Sequence, residues 1–112
     1  MVARGDLGVQ LPLEQVPFVQ KQILDAANKR GKISITATEM LQSMKTSYRP
    51  TRAEVTDITN AIVEGSDAVM LSAETSIGDN PNRVVEVMSI ICKETDSRND
   101  TSSLLSKEDS KE

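Results

Sequence analysis

Apolar and polar positions along the chain repeat the same order three times: a short apolar run, a polar loop, then apolar residues at helical spacing. The first run is residues 1–3, closed by a turn at Gly5–Gly8. Val16, Val19, Ile23 and Ala27 then recur on one face of a helix over about residues 17–30. Pro17 suits the first helical turn, Lys29 and Arg30 sit at the negative end of the helix dipole, and Gly31 supplies a stop. The second run is residues 33–37, followed by a short helical turn or loop over residues 38–45. Thr51 and Glu54 have capping-box spacing, and Val55, Ile58 and Ile62 form the apolar face of a helix that continues to Glu64 and stops at Gly65. The third run is residues 67–71. Its loop leads to Asn80 as a cap, Pro81 as the first residue of a helix, and Val84, Val87, Met88 and Ile91 as the core-facing stripe.

Strands that alternate with crossover helices form a parallel sheet with helices on its faces, which predicts an α/β fold in βαβαβα order. Right-handed crossovers place all three strand C-termini on one rim. The residues there are Arg4-Gly5-Asp6, Thr36-Ala37-Thr38-Glu39 and Ser72-Ala73-Glu74-Thr75. In barrels and open α/β sheets alike, that rim is where ligands bind.

Composition narrows the chemistry. With 112 residues there is room for one small domain, and with one Phe, one Tyr and no Trp its core is aliphatic. The net charge of −4 and the scattered basic residues argue against a nucleic-acid surface, so an anionic ligand is held by local donors or a metal. The sequence contains no histidine, so any metal is held by carboxylates, which suits Mg²⁺ or Mn²⁺. The single cysteine, Cys92, reads as a small buried residue on a helix and fits a reducing, cytoplasmic compartment. No apolar run approaches the roughly 20 residues that span a bilayer, and no targeting segment is visible. From about Thr95 the sequence turns charged and Ser-rich, and residues 95–112 read as a disordered tail, with a docked terminal helix as the alternative.

At the rim, Gly5-Asp6-Leu7-Gly8 offers tight backbone geometry, N–H groups of a following short helix for an anion, and one hard oxygen ligand from Asp6. It is equally an ordinary Asp-Gly turn. Thr38 offers a hydroxyl to a substrate oxygen, and Glu39 a carboxylate for water or a cation; alternatively Thr38 caps the next helical turn. Glu74 is a candidate acid/base or water-ordering group with Ser72 and Thr75 beside it, or a solvated loop carboxylate. Arg49 and Arg52 flank a proline, where they clamp an anion or a neighbouring subunit, or lie free on the surface. No lysine ends a strand, and no second carboxylate pairs with Asp6.

Three stretches, MVARGDLGVQLP, QKQILDAANKRGKISITATEMLQSM and RPTRAEVTDITNAIVEGSDAVMLSAETSIGDNP, together resemble the pyruvate kinase family in order and spacing. The resemblance covers roughly residues 1–94, read as a partial domain of a (β/α)₈ TIM barrel: three consecutive βα units similar to its sixth, seventh and eighth. It implies phosphoryl transfer from phosphoenolpyruvate to ADP, giving pyruvate and ATP in glycolysis, with Mg²⁺ (or Mn²⁺) and usually K⁺, whose ligands are not in this chain. By the same resemblance Asp6 is a Mg²⁺ ligand, the backbone of Gly5 and Asp6 cradles the substrate carboxylate, Thr38 contacts substrate, and Ser72 and Glu74 help to order water for protonation of the enolate. Arg49 and Arg52 would lie near subunit contacts of a homo-oligomer, a tetramer in the family.

Glu39 departs from a common Gln, Gln10 from a common Glu and Ala73 from a common Gly. In the family a K-[IV]-E strand just upstream carries the active-site lysine and the second metal carboxylate. Those are the two groups missing here. This leads to the expectation that the chain begins inside a larger enzyme and needs a complementary barrel segment for turnover. The competing expectation is an inactive module that binds phosphoenolpyruvate and Mg²⁺ or associates with full-length subunits.

Overall fold

The computed structural model describes the backbone of residues 1–110 and the side chains of residues 1–99. Three short strands, β1 (Val2–Ala3), β2 (Ile35–Ala37) and β3 (Ala68–Val69), form one parallel sheet in the order β1-β2-β3. Val2 pairs with Thr36 and Ala3 with Ala37; Ile35 pairs with Ala68 and Thr36 with Val69. The helices are α1 (Arg4–Gln10), α2 (Val16–Lys29), α3 (Arg52–Val63), α4 (Ala73–Ser76) and α5 (Pro81–Ser110), with 3₁₀ turns at Leu13–Gln15 and Gln42–Lys45. Three βα units with parallel strands in an open sheet agree with the α/β expectation.

The strands are shorter than the apolar runs that predict them. Ile33 is 81% exposed, and the Ser34 N–H donates to the Asp67 carboxylate (2.8 Å) instead of to a ladder carbonyl. Asp67 N–H returns a bond to Ser34 O (3.1 Å). This reciprocal pair pins the N-terminal ends of β2 and β3 and so sets the register that brings their C-terminal ends level.

The apolar stripe of α2 is rotated by about one position from the expected one. Leu24 and Gln20 are buried, Val16, Val19 and Ala27 are half-buried, and Ile23 is exposed. Gln20 tolerates burial because its amide donates to Glu64 Oε2 across the groove (3.3 Å). A purely apolar template overlooks a glutamine on the inner face.

The capping box on α3 forms as the spacing predicts, with Glu54 N–H donating to Thr51 Oγ1 and Thr51 N–H to Glu54 Oε1. The same carboxylate accepts from Ser43 N–H (2.7 Å) and Ser43 Oγ (2.5 Å), tying α3 to the 3₁₀ turn. Burial alone would push the Glu54 carboxyl up, but the Ser43 and Thr51 bonds outweigh it and hold the group below its ordinary range. A carboxyl depressed in the folded state adds stability above its unfolded pKa, and that stability is lost as pH falls through the folded value. Glu54→Gln is therefore expected to lower the neutral-pH denaturation midpoint and flatten the acid limb, measured by urea titration from pH 7 down to pH 3; an unchanged acid limb contradicts this.

The main core lies between the 3₁₀ turn, α3 and α5. Met40, Leu41, Met44, Ile58, Ala61, Val84, Val87, Met88 and Ile91 are buried there, with Val55 and Ile62 half-buried against them. The α5 stripe matches its expectation. The helical turn or loop expected over residues 38–45 contains a 3₁₀ turn at Gln42–Lys45, and the segment also contributes three core side chains, Met40, Leu41 and Met44. Gly65, which follows α3, has φ +105, and a Cβ there would lie 2.1 Å from Asn28 Nδ2. α5 continues past Thr95, which is buried with its hydroxyl on Ile91 O (2.8 Å), so the boundary expected at residues 94–95 falls inside a helix. Residues 111–112 of the expected tail lie outside the described residues.

Candidate active-site rim

β1 passes without a loop into α1, so the expected Gly5–Gly8 turn is a seven-residue helix. The helix ends where Leu11 N–H bonds Leu7 O, immediately before Pro12. Its N-cap, Ala3, has no side chain to accept an N–H, and the Gly5 N–H donates instead to Thr38 Oγ1 (3.0 Å). Asp6 lies in the first turn, where a carboxylate complements the dipole. It is exposed and has no hydrogen-bond or ion-pair partner among the described residues.

Thr38 and Glu39, at the end of β2, have φ of +75° and +58°. Left-handed backbone costs a non-glycine residue about 1–3 kcal/mol, and the surroundings must supply it. Arg4 faces this turn. Its Nη2 donates to Thr38 O (2.5 Å) and Nε to Ala37 O (3.3 Å), and Nη1 spans both oxygens of Asp57 on α3 at 2.6 and 2.7 Å. The Arg4 side chain is 13% exposed and that of Asp57 34%. Thr38 thus stands between α1 and β2: it does not cap the 3₁₀ turn, whose N-cap is Leu41 without a side-chain bond.

Glu74 is 1% exposed, which excludes the solvated-loop alternative. Its Oε2 accepts Leu41 N–H and its Oε1 accepts Ser72 N–H, both at 3.1 Å. The carboxylate ties the β3–α4 loop to the segment just after Thr38. Gly78 closes against the Glu74 backbone: a Cβ at residue 78 would lie 2.1 Å from the Glu74 carbonyl oxygen. The Ser72 hydroxyl has no partner among the described residues, while Ser72 O accepts from Thr75 and Ser76. All three strand ends are therefore linked, Gly5 to Thr38 and Leu41 to Glu74.

A cleft of about 220 Å³ opens between Arg4, Gly8, Leu13, Val16, Thr38, Glu39 and Asp57. A larger groove of about 450 Å³ runs between α2 and α3, with Arg52, Asp57 and Glu64 on its walls. The smaller cleft is the one that contains the strained turn. Arg49 and Arg52 are exposed, and neither guanidinium has a partner among the described residues. Cys92 is half-buried; burial pushes its thiol up, and Asp96 adds to the effect. Among the described residues there is no group of three carboxylates or thiols that would enclose a metal, and no helix is long and apolar enough to cross a membrane. Asp6 fits a divalent cation as one ligand only.

A sequence profile described as "Pyruvate kinase, barrel domain" matches residues 1–85. The chain belongs to the pyruvate kinase family. A pyruvate kinase from Corynebacterium efficiens is 56% identical over 100 residues, covering 88% of this chain and 21% of its own length. One from Thermococcus litoralis is 55% identical over 96 residues, 86% of this chain and 20% of its own length. A solved pyruvate kinase from Cryptosporidium parvum aligns at TM-score 0.83 and 49% identity over 85% of this chain and 19% of its own. The chain thus spans about a fifth of the pyruvate kinases it matches. Within this pyruvate kinase segment, sequence reasoning overlooks the Arg4–Asp57 pair. Its only local signal is an arginine directly after a strand that must pack, and nothing in the spacing points 53 residues ahead to Asp57.

Proposed function

We propose that this segment supplies the sixth to eighth βα units of a pyruvate kinase barrel and takes part in phosphoryl transfer from phosphoenolpyruvate to ADP. Family membership supports the reaction class. The observation that carries the assignment to this rim is the left-handed Thr38–Glu39 turn held against the start of α1, because strain of this kind collects where a ligand must be met. Thr38 Oγ1 accepts the Gly5 N–H, so its own proton stays free for a substrate oxygen. The first turn of α1 presents N–H groups and Asp6 on the same rim, suited to a carboxylate and one coordination position of Mg²⁺ or Mn²⁺. When bound, that cation polarises phosphoryl and enolate oxygens. Its remaining ligands, the K⁺ ligands and a neutralising lysine come in this reading from the other four-fifths of the enzyme. Glu74 fixes the loop that carries Ser72, and in this reading the Ser72 hydroxyl orders the water that protonates the enolate. Arg49 and Arg52 are free to meet a second subunit of a homo-oligomer.

The test is a graft in which residues 1–100 replace the matched stretch of the Corynebacterium efficiens enzyme. A soluble graft is expected to form pyruvate from phosphoenolpyruvate and ADP within about tenfold of the parent, the margin allowed for small misplacements at a catalytic rim. A folded graft without turnover overturns the reading.

A further inference from the structure

We infer that Arg4 is a positioning residue: with Asp57 as its anchor, it holds Thr38 and Glu39 in left-handed backbone and thereby sets where the Thr38 hydroxyl and the Leu41 amide stand. The consequence for substrate rests on the proposed role of Thr38, whereas the device itself does not.

Two consecutive left-handed residues are rare, and a β-branched one more so. Neither Thr38 nor Glu39 has glycine's freedom, so an outside contact must favour this conformation over the extended one. Arg4 is the group that makes it. Nε and Nη2 reach the carbonyls of two consecutive residues, Ala37 and Thr38, a spacing that the guanidinium fork matches and an ammonium does not. The fork is itself fixed, because both Asp57 oxygens take Nη1 and Met40 Sδ lies 3.0 Å from Nη2. Asp57 belongs to α3, whose Ile58 is fully buried in the core, so the anchor is rigid. Arg4 also begins α1, and its neighbour Gly5 bonds the Thr38 hydroxyl. One side chain therefore joins the start of α1, the β2 exit and α3 at the point of strain. Two residues beyond Glu39, Leu41 N–H meets Glu74, so the turn also sets the alignment of the third loop.

A clamp that opposes strain should matter only while the strain exists. The experiment is amide hydrogen exchange by NMR on the full 112-residue chain, read at Leu41 relative to Ile58, with ¹³C shifts reporting the backbone at residues 38–39. Arg4→Lys is expected to speed Leu41 exchange about tenfold and shift residues 38–39 toward extended values, as the release of one strained turn implies. In a Thr38→Gly, Glu39→Gly background, where positive φ carries no steric penalty, the same substitution is expected to change Leu41 less than about twofold. Equal effects in both backgrounds would mean that Arg4 merely packs the fold, and would overturn the proposal. Should Arg4→Lys unfold the chain, recovery of the fold in the glycine background supports the proposal and failure to recover overturns it. No ligand enters these readouts, so their outcome is independent of graft turnover.

Discussion

Asp6→Asn in the grafted enzyme is expected to lower turnover by about 100-fold or more, while leaving the fold unchanged to within about 1 kcal/mol. The two effects separate because of where Asp6 sits. It is exposed and bonds nothing among the described residues, so stability loses at most its small attraction to the α1 dipole. Asparagine keeps the size of the side chain and one carbonyl oxygen but removes the charge that a hard cation requires. Electrostatic groups aimed at a reacting centre are worth about 10²–10³ in rate when removed singly. The check is steady-state pyruvate formation at saturating Mg²⁺ beside a thermal melt. Equal loss of stability and activity would assign Asp6 to the scaffold instead.

Glu74→Ala is expected to have the opposite profile, a loss of about 3–5 kcal/mol of folding stability. The carboxylate is 1% exposed and holds two backbone N–H groups, those of Leu41 and Ser72. Alanine leaves both donors in a water-excluded pocket, at about 1–3 kcal/mol each, and adds a cavity. Small domains have about 5–15 kcal/mol in total, so the substitution removes a large share. Glu74→Gln is expected to fall between the two, since its carbonyl oxygen accepts one N–H while its NH₂ group faces the other. Denaturant midpoints of the three chains provide the measurement; a Glu74→Ala loss below about 1 kcal/mol would show that water reaches these amides.

These profiles show which parts of the rim are legible in sequence. Period and caps are local properties, so α3 with its Thr51–Glu54 box, the α5 stripe and the order of three βα units all follow from residues close together in the chain. The three rim segments are found for the same reason, because each directly follows an apolar run. What is not legible depends on pairs far apart. Gln20 is buried because Glu64 waits for it, Arg4 is half-buried because Asp57 does, and Glu74 is buried because two loop amides do. Each is a polar residue that a one-dimensional pattern assigns to solvent. Met40, Leu41 and Met44 form the converse case: they are apolar but lie in and just before a 3₁₀ turn too short to show a period. The left-handed pair at Thr38–Glu39 is invisible for a third reason, since neither residue prefers that conformation and the groups that meet the turn, Arg4 and the Gly5 N–H, lie more than 30 residues away in the chain.

Once the rest of the barrel is present, this rim is expected to carry phosphoryl transfer through Asp6 and Thr38. The most direct measurement is pyruvate formation by the Corynebacterium efficiens graft with its Asp6→Asn partner in the same assay. Turnover within about tenfold of the parent is expected for the first and a loss of about 100-fold for the second. A soluble, folded graft that does not turn over, or one that turns over equally well without the Asp6 carboxylate, would contradict it.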